Sequence, residues 1–246
     1  MKFLFSFFKT LWGIWGAIAF ALTVILFIPF YFLIFSLNIG GRKAPHIAHK
    51  ITKIASFFLY TLLLIYVRTK GKEKIDKNQV YIFVSNHKSL LDIPACALST
   101  AQTFRYLAKA ELTKIPLFGY IIRKLYISVS RKDDADRRRS METMYQSLKD
   151  GISVYIYPEG TRNKTDKPLN EFYDGAFRLA LQTGYPIAVL TIRNSSKLLN
   201  GYKLQPGVIE CIWDDPIIIN QEKDTMASLK RKVADVLLYQ LSAHQN

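Results

Sequence analysis

The sequence predicts an α/β protein, a mixed and largely parallel sheet flanked by helices, behind an N-terminal membrane-embedded helical segment. Three observations carry that expectation. Residues 10–41 form 32 consecutive positions without a charged side chain. Beyond residue 75, short segments rich in β-branched and aromatic residues alternate with segments of helical periodicity, the pattern of strands and helices wound around one sheet. Half of the 246 residues are hydrophobic, enough for one sizeable core and too many for a disordered chain. The expected division is 1–74 for the membrane-anchoring helices and 75–246 for the α/β domain.

The uncharged run 10–41 is about 48 Å long as a continuous helix, against roughly 30 Å of bilayer hydrocarbon. No small-residue cleavage site follows it, so the segment is expected to stay attached. Pro29 inside the run should bend or split the helix, because it lacks an N–H and clashes with the preceding turn. A second uncharged stretch, 54–67, has 14 residues, short of the roughly 20 that span a bilayer. One tilted span with an interfacial helix, or a pair of helices dipping into one leaflet, both fit.

Lys and Arg number 34 against 19 Asp and Glu, a net charge of +15. Such a field favours anionic partners: membrane phospholipids, phosphorylated ligands or nucleic acid. No nucleic-acid signature is present, so no nucleic-acid partner is expected. Arg42, Lys43, Lys50, Lys53, Arg68, Lys70, Lys72 and Lys74 crowd the C-terminal flank of the apolar segment, against Lys2 and Lys9 before it. The positive-inside bias then places the main domain on the cytoplasmic face of the inner, or cell, membrane. Cys96 and Cys211 match no metal or redox spacing and read as core residues of a chain in a reducing compartment.

In the α/β part the expected strands are 81–85, 126–130, 153–157, 186–192 and 208–213. Helical periodicity covers 133–149, 170–183 and 225–243. The first two helices end at Asp150-Gly151 and at Gly184, where glycine can take the left-handed stop conformation. The third carries apolar residues at Met226, Leu229, Val233, Val236, Leu237 and Leu241, the spacing of an amphipathic helix.

In such a sheet, functional residues gather in the loops at the carboxyl ends of strands. Two loops stand out. The first, VSNHKSLLD at 84–92, holds His87 and Asp92. Asp92 reads equally as a helix cap, since Ser89 lies three residues ahead of it. As a pair, His87 is a base at neutral pH and Asp92 the carboxylate that orients it. Five residues at about 100° each leave the two side chains roughly 140° apart on a helix, so they cannot pair within one. Pro94 belongs in a first helical turn, which puts the helix start near Leu91 or Asp92 and leaves His87 in the preceding loop. The helix N-terminus would then favour negative charge developing nearby. The second loop, YIYPEGTRNK at 155–164, carries Glu159, Gly160, Thr161 and Arg162; its glycine permits close approach, and Thr and Arg suit phosphate oxygens. His46 and His49 have a metal-like spacing without a third ligand and are expected at an interface; no metal is expected.

Together the loops resemble the glycerolipid acyltransferase family, of the 1-acyl-sn-glycerol-3-phosphate acyltransferase type. Asn86-His87-Lys88-Ser89-Leu90-Leu91-Asp92 matches the family's Asn-His-four residues-Asp block. Tyr157-Pro158-Glu159-Gly160-Thr161-Arg162 matches its Phe-Pro-Glu-Gly-Thr-Arg block, with Tyr for Phe, and the separation of about 70 residues agrees. AKAELTKIPLFG at 108–119 resembles the segment that links the blocks. The likeness covers roughly residues 75–195. Two departures are visible: Ser130 stands where an acid usually precedes Arg131, and 187–191 lacks the usual proline. The resemblance implies transfer of a fatty acyl chain from acyl-CoA or acyl carrier protein to the free hydroxyl of 1-acylglycerol 3-phosphate (lysophosphatidate), giving phosphatidic acid for phospholipid biosynthesis. It implies His87 and Asp92 as catalytic, and Arg131, Glu159, Gly160, Thr161 and Arg162 as acceptor-binding. The donor is a substrate and no cofactor is implied. Alternatives are the same chemistry on glycerol 3-phosphate or a lyso-aminolipid, and a non-catalytic membrane lipid-binding protein.

Overall fold

Alternation of side chains along the strand segments puts one set of apolar residues on each face of a sheet, and helices must cover both. The computed structural model, which describes residues 2–130 and 133–243, has this architecture. Its elements run α1 (Lys2–Ser36), α2 (Ala44–Leu62), β1 (Ile65–Lys70), β2 (Ile82–Ser85), α3 (Asp92–Ser99), β3 (Phe104–Lys109), α4 (Phe118–Leu125), β4 (Ile127–Val129), α5 (Asp134–Lys149), β5 (Ser153–Ile156), α6 (Gly175–Thr183), β6 (Ile187–Arg193), α7 (Ser195–Leu198), β7 (Leu199–Asn200), β8 (Lys203–Leu204), β9 (Gly207–Trp213) and α8 (Met226–Ser242). The main sheet has seven strands in the order β1-β9-β6-β2-β5-β3-β4, and β7 and β8 form a separate hairpin. All main-sheet pairs are parallel except β6 with β9. The mixed, largely parallel sheet expected from the sequence is therefore present.

Two cores result. On one face Phe83, Tyr155, Ala188 and Trp213 pack with Cys96 of α3 and with Leu59 and Tyr60 of α2. On the other, Val84, Val154 and Val189 pack under Leu148 of α5, Leu179 of α6 and Leu237 of α8. Central strands β2, β5 and β6 are buried along their whole length, as parallel strands covered on both faces must be.

Besides the β7–β8 hairpin, two strands of the main sheet differ from expectation. β1 lies ahead of residue 75, so the sheet begins at residue 65, inside the span assigned to the membrane anchor. It is an edge strand whose exposed positions include Tyr66, Arg68 and Lys70, and its place beside β9 is a long-range pairing that no local pattern announces. β3 is likewise tertiary in origin: Phe104 and Tyr106 are buried either side of Arg105, but the alternation stops there, Leu107 and Ala108 both being half-buried.

The N-terminal segment is one helix that continues through Pro29 rather than splitting there. Pro29 is exposed, and the helix accommodates both its missing N–H and the crowding of its ring against the preceding turn. α1 is the one described helix long and apolar enough to cross a membrane. One stripe of it lies against the rest of the chain. Lys203 Nζ donates to Ser6 Oγ at 2.8 Å, and Trp15 Nε1 donates to the Leu62 carbonyl at 2.9 Å. Phe20 meets Phe118 edge-on at 5.5 Å, and the Tyr31 and Thr52 hydroxyls are 3.0 Å apart. Its other stripe, including Phe8, Leu11, Ile14, Ile18, Ile25 and Phe32, is exposed.

Candidate active site

β2 and β5 are parallel neighbours, so the loops leaving their carboxyl ends emerge side by side. That register brings residues some seventy positions apart into one site. The β2 loop is held to β6 by Asn86, whose buried side chain donates through Nδ2 to the Ile192 carbonyl and accepts from the Ile192 N–H, both at 2.8 Å.

His87 follows in the loop, and α3 starts at Asp92. The two side chains meet: His87 Nδ1 lies 2.8 Å from Asp92 Oδ2. The same oxygen accepts the backbone N–H groups of Lys88 and Ser89, each at 2.8 Å. An ionised carboxylate only accepts, so Nδ1 carries the proton and Nε2 is left with its lone pair. Asp92 is fully buried within the first turn of α3, where negative charge is favoured; its Oδ1 has no partner among the described residues. Asp92 is thus both the first residue of the helix and the partner of His87.

The His87 ring stacks on Tyr157, centroids 4.0 Å apart and planes 19° apart. Beneath it, the Cys96 thiol lies 2.9 Å from the Tyr155 hydroxyl and 3.3 Å from that of Tyr157. Burial pushes the Cys96 thiol up to about 12 and the Tyr157 phenol well above its ordinary value, so the whole layer under the imidazole is uncharged. The sequence offered Tyr157 only as a substitution for Phe; nothing in the spacing announced a stacking partner for the histidine.

Glu159 is placed differently from the acceptor-binding expectation. It is 2 % exposed, and its two carboxylate oxygens accept the backbone N–H groups of His87 and Asn170, each at 2.8 Å. Burial outweighs these hydrogen bonds and raises its pKa above the ordinary carboxylate value. Glu159 ties the two loops together, with both of its carboxylate oxygens engaged by backbone N–H groups. A second tie is the Asn163 N–H, which donates to the His87 carbonyl at 2.7 Å.

Between Glu159 and Asn163 the chain turns at Gly160, with φ +68°, whose N–H donates to the Tyr157 carbonyl at 2.9 Å. A β-carbon would strain that turn. Thr161 is exposed and Arg162 half-buried, and neither side chain has a hydrogen bond or ion pair among the described residues. Arg131 lies outside the described residues. Its neighbour Ser130 donates its N–H to Asp136, at the carboxyl end of β4 on the same edge of the sheet. His46 bonds Thr103 at 2.9 Å and His49 is buried, and no described cluster of His, Cys, Asp or Glu is arranged to hold a metal ion.

The acyltransferase family profile matches residues 66–193, which include both loops. The chain is 30% identical over 158 residues to the 1-acyl-sn-glycerol-3-phosphate acyltransferase BAT2, chloroplastic, of Brassica napus, covering 63% of this chain and 45% of that one. It is 27% identical over 229 residues to the 1-acyl-sn-glycerol-3-phosphate acyltransferase of Saccharomyces cerevisiae, covering 85% and 71%. Against the plant relatives it spans less than half of their length. The crystal structure of the 1-acyl-sn-glycerophosphate (LPA) acyltransferase PlsC from Thermotoga maritima superposes with a TM-score of 0.82 at 24% identity, over 100% of this chain and 99% of that one, and so shares its fold. With the match spanning both loops and more than half of the chain, the chain belongs to the acyltransferase family.

Proposed function

We propose that the protein transfers a fatty acyl chain from acyl-CoA or acyl carrier protein to the free hydroxyl of 1-acylglycerol 3-phosphate, forming phosphatidic acid at a membrane surface. The observation that carries this reading is the His87–Asp92 pair with Nε2 open. Nε2 takes the proton of the acceptor hydroxyl as its oxygen attacks the thioester carbonyl. Asp92 stabilises the imidazolium that forms. The tetrahedral adduct then collapses, and the departing thiolate receives the proton back from Nε2. No enzyme nucleophile is needed, because the substrate alcohol attacks directly. Arg162, with Thr161 and the backbone at Gly160, binds the acceptor phosphate, and the family resemblance adds Arg131. Glu159 acts indirectly, holding the His87 loop in place.

The comparisons support a lysophospholipid acceptor through the names of the relatives, and exposed Thr161 and half-buried Arg162 supply the hydroxyl and cation that a phosphate requires. The anchor reading follows from packing. A 35-residue helix is about 52 Å long, yet α1 touches the rest of the chain from Ser6 to Tyr31. A helix bound to one domain along that length lies within one leaflet more readily than across two. The basic residues that flank it favour the cytoplasmic face as the working side.

The test supplies purified protein with lysophosphatidate, glycerol 3-phosphate or a lyso-aminolipid and with either donor, and reads products by mass spectrometry. Phosphatidic acid is the expected product, and His87→Ala lowers its rate by about 10²–10⁴-fold. Full activity in that variant overturns the base assignment. Product from another acceptor alone overturns the substrate assignment.

A further inference from the structure

β3 runs parallel to β5, so the chain leaving Lys109 emerges at the same edge of the sheet as His87. A short helical turn, Ala110–Lys114, leads to Ile115-Pro116-Leu117, and there the sequence breaks the usual rule for loops. Ile115 is 43 % exposed and Leu117 is 53 % exposed. Leu117 holds φ +61° and ψ −57°, while the Phe118 N–H donates to the Pro116 carbonyl at 2.6 Å. This is a three-residue turn of the positive-φ kind, rare and strained for a residue with a β-carbon. Gly119 allows the fold-back, since a β-carbon there would stand 2.2 Å from the Thr113 carbonyl oxygen. A strained tip that presents branched aliphatic side chains to water gains nothing for folding.

Its surroundings supply a reason. Phe118 touches Phe20 on α1, itself 44 % exposed, so the tip continues the apolar stripe of that helix. Leu90 in the His87 loop is also exposed. Lys114, Arg123 and Lys124 are exposed around the tip, and Lys124 Nζ lies 6.0 Å from the rings of Phe35 and Tyr120. Apolar side chains at the point with amines set back behind them match a bilayer, hydrocarbon inside and anionic headgroups above.

We infer that the tip at 115–117 inserts into the leaflet that holds α1, seating the catalytic edge on the acyl chains so that a lysolipid reaches His87 without entering water. Insertion stands on the geometry alone; the delivery role rests on the acyl-transfer reading. Cys96 and Cys211 are both buried, so a nitroxide can be placed on an introduced cysteine. In vesicles of equal parts phosphatidylcholine and phosphatidylglycerol, a label on Leu117→Cys is expected to collide with oxygen far more than with a nickel chelate. A label on Tyr239→Cys, on the opposite face in α8, reads as aqueous. The same aqueous reading at 117 overturns insertion.

Leu117→Glu is expected to slow transfer to vesicle-borne lysophosphatidate about tenfold, the factor of one lost Leu insertion, while leaving a short-chain, water-soluble acceptor untouched. Equal loss on both acceptors overturns the delivery role. Absence of transfer by the unaltered protein overturns the acyl-transfer reading instead, and the label still decides insertion.

Discussion

At the scale of single residues, Glu159 changes most between sequence and structure. Placed in a Pro-Glu-Gly-Thr-Arg loop, it reads as part of a binding site; folded, it is a buried carboxylate that accepts two backbone N–H groups. Glu159→Gln keeps the shape but turns one acceptor into a donor aimed at an N–H. The variant is expected to lose about 1–3 kcal/mol of stability, measured by denaturant unfolding. The pH dependence separates charge from geometry. A carboxyl whose folded pKa is raised binds its proton more tightly when native, so its contribution is present at low pH and is lost as pH rises through the folded value. The parent protein should lose stability between the ordinary carboxylate pKa and that raised value, and the Gln variant should lack that part of the slope. An identical slope in both would remove Glu159 from the titration. His87 and Asp92, by contrast, were legible in the sequence, because the angular argument against an unbroken helix demanded a loop-borne histidine and the structure has one.

At the scale of elements, α1 meets the body of the protein through glycine. A β-carbon on Gly13 would lie 1.8 Å from the Tyr202 carbonyl oxygen, and one on Gly16 would lie 2.7 Å from a Leu204 methyl. The β7–β8 hairpin therefore rests on a groove in α1 that larger residues would fill. Gly13→Leu should push the hairpin away, at a cost of about 1–3 kcal/mol. In detergent, each kcal/mol lowers the melting temperature by about 2–4 °C for a chain of this size. Ala17→Leu, on the exposed side of the same helix, should leave melting unchanged. Equal effects from both would mean that α1 is not docked on the hairpin. The apolar run was visible in the sequence, but its partner was not, since residues 13 and 202 are brought together only by the fold.

At the scale of the whole molecule, the proposed membrane attachment draws on two forces. The net charge of +15 attracts anionic headgroups, and the exposed stripe of α1 removes hydrocarbon from water. They respond differently to salt. At about 1 M salt the Debye length falls to about 3 Å and the headgroup attraction is screened, while apolar burial persists. The protein is expected to sediment with membranes after such a wash and to leave them only with detergent. Release by salt alone would show that the apolar stripe is not in lipid.

By itself the sequence determined the α/β class, the central strands, the long apolar helix and the two loops that hold His87 and Asp92 and the Glu159-to-Arg162 turn. These are local properties: periodicity, turn chemistry and residue type act over a few neighbours. Only the tertiary structure decided that β1 joins the sheet ahead of residue 75, that Tyr157 stacks under His87, and that Glu159 ties the two loops together. Each depends on register between strands distant in sequence, and on burial that sets which groups a polar residue meets. A carboxylate in a loop has no fixed meaning until packing determines which N–H groups surround it.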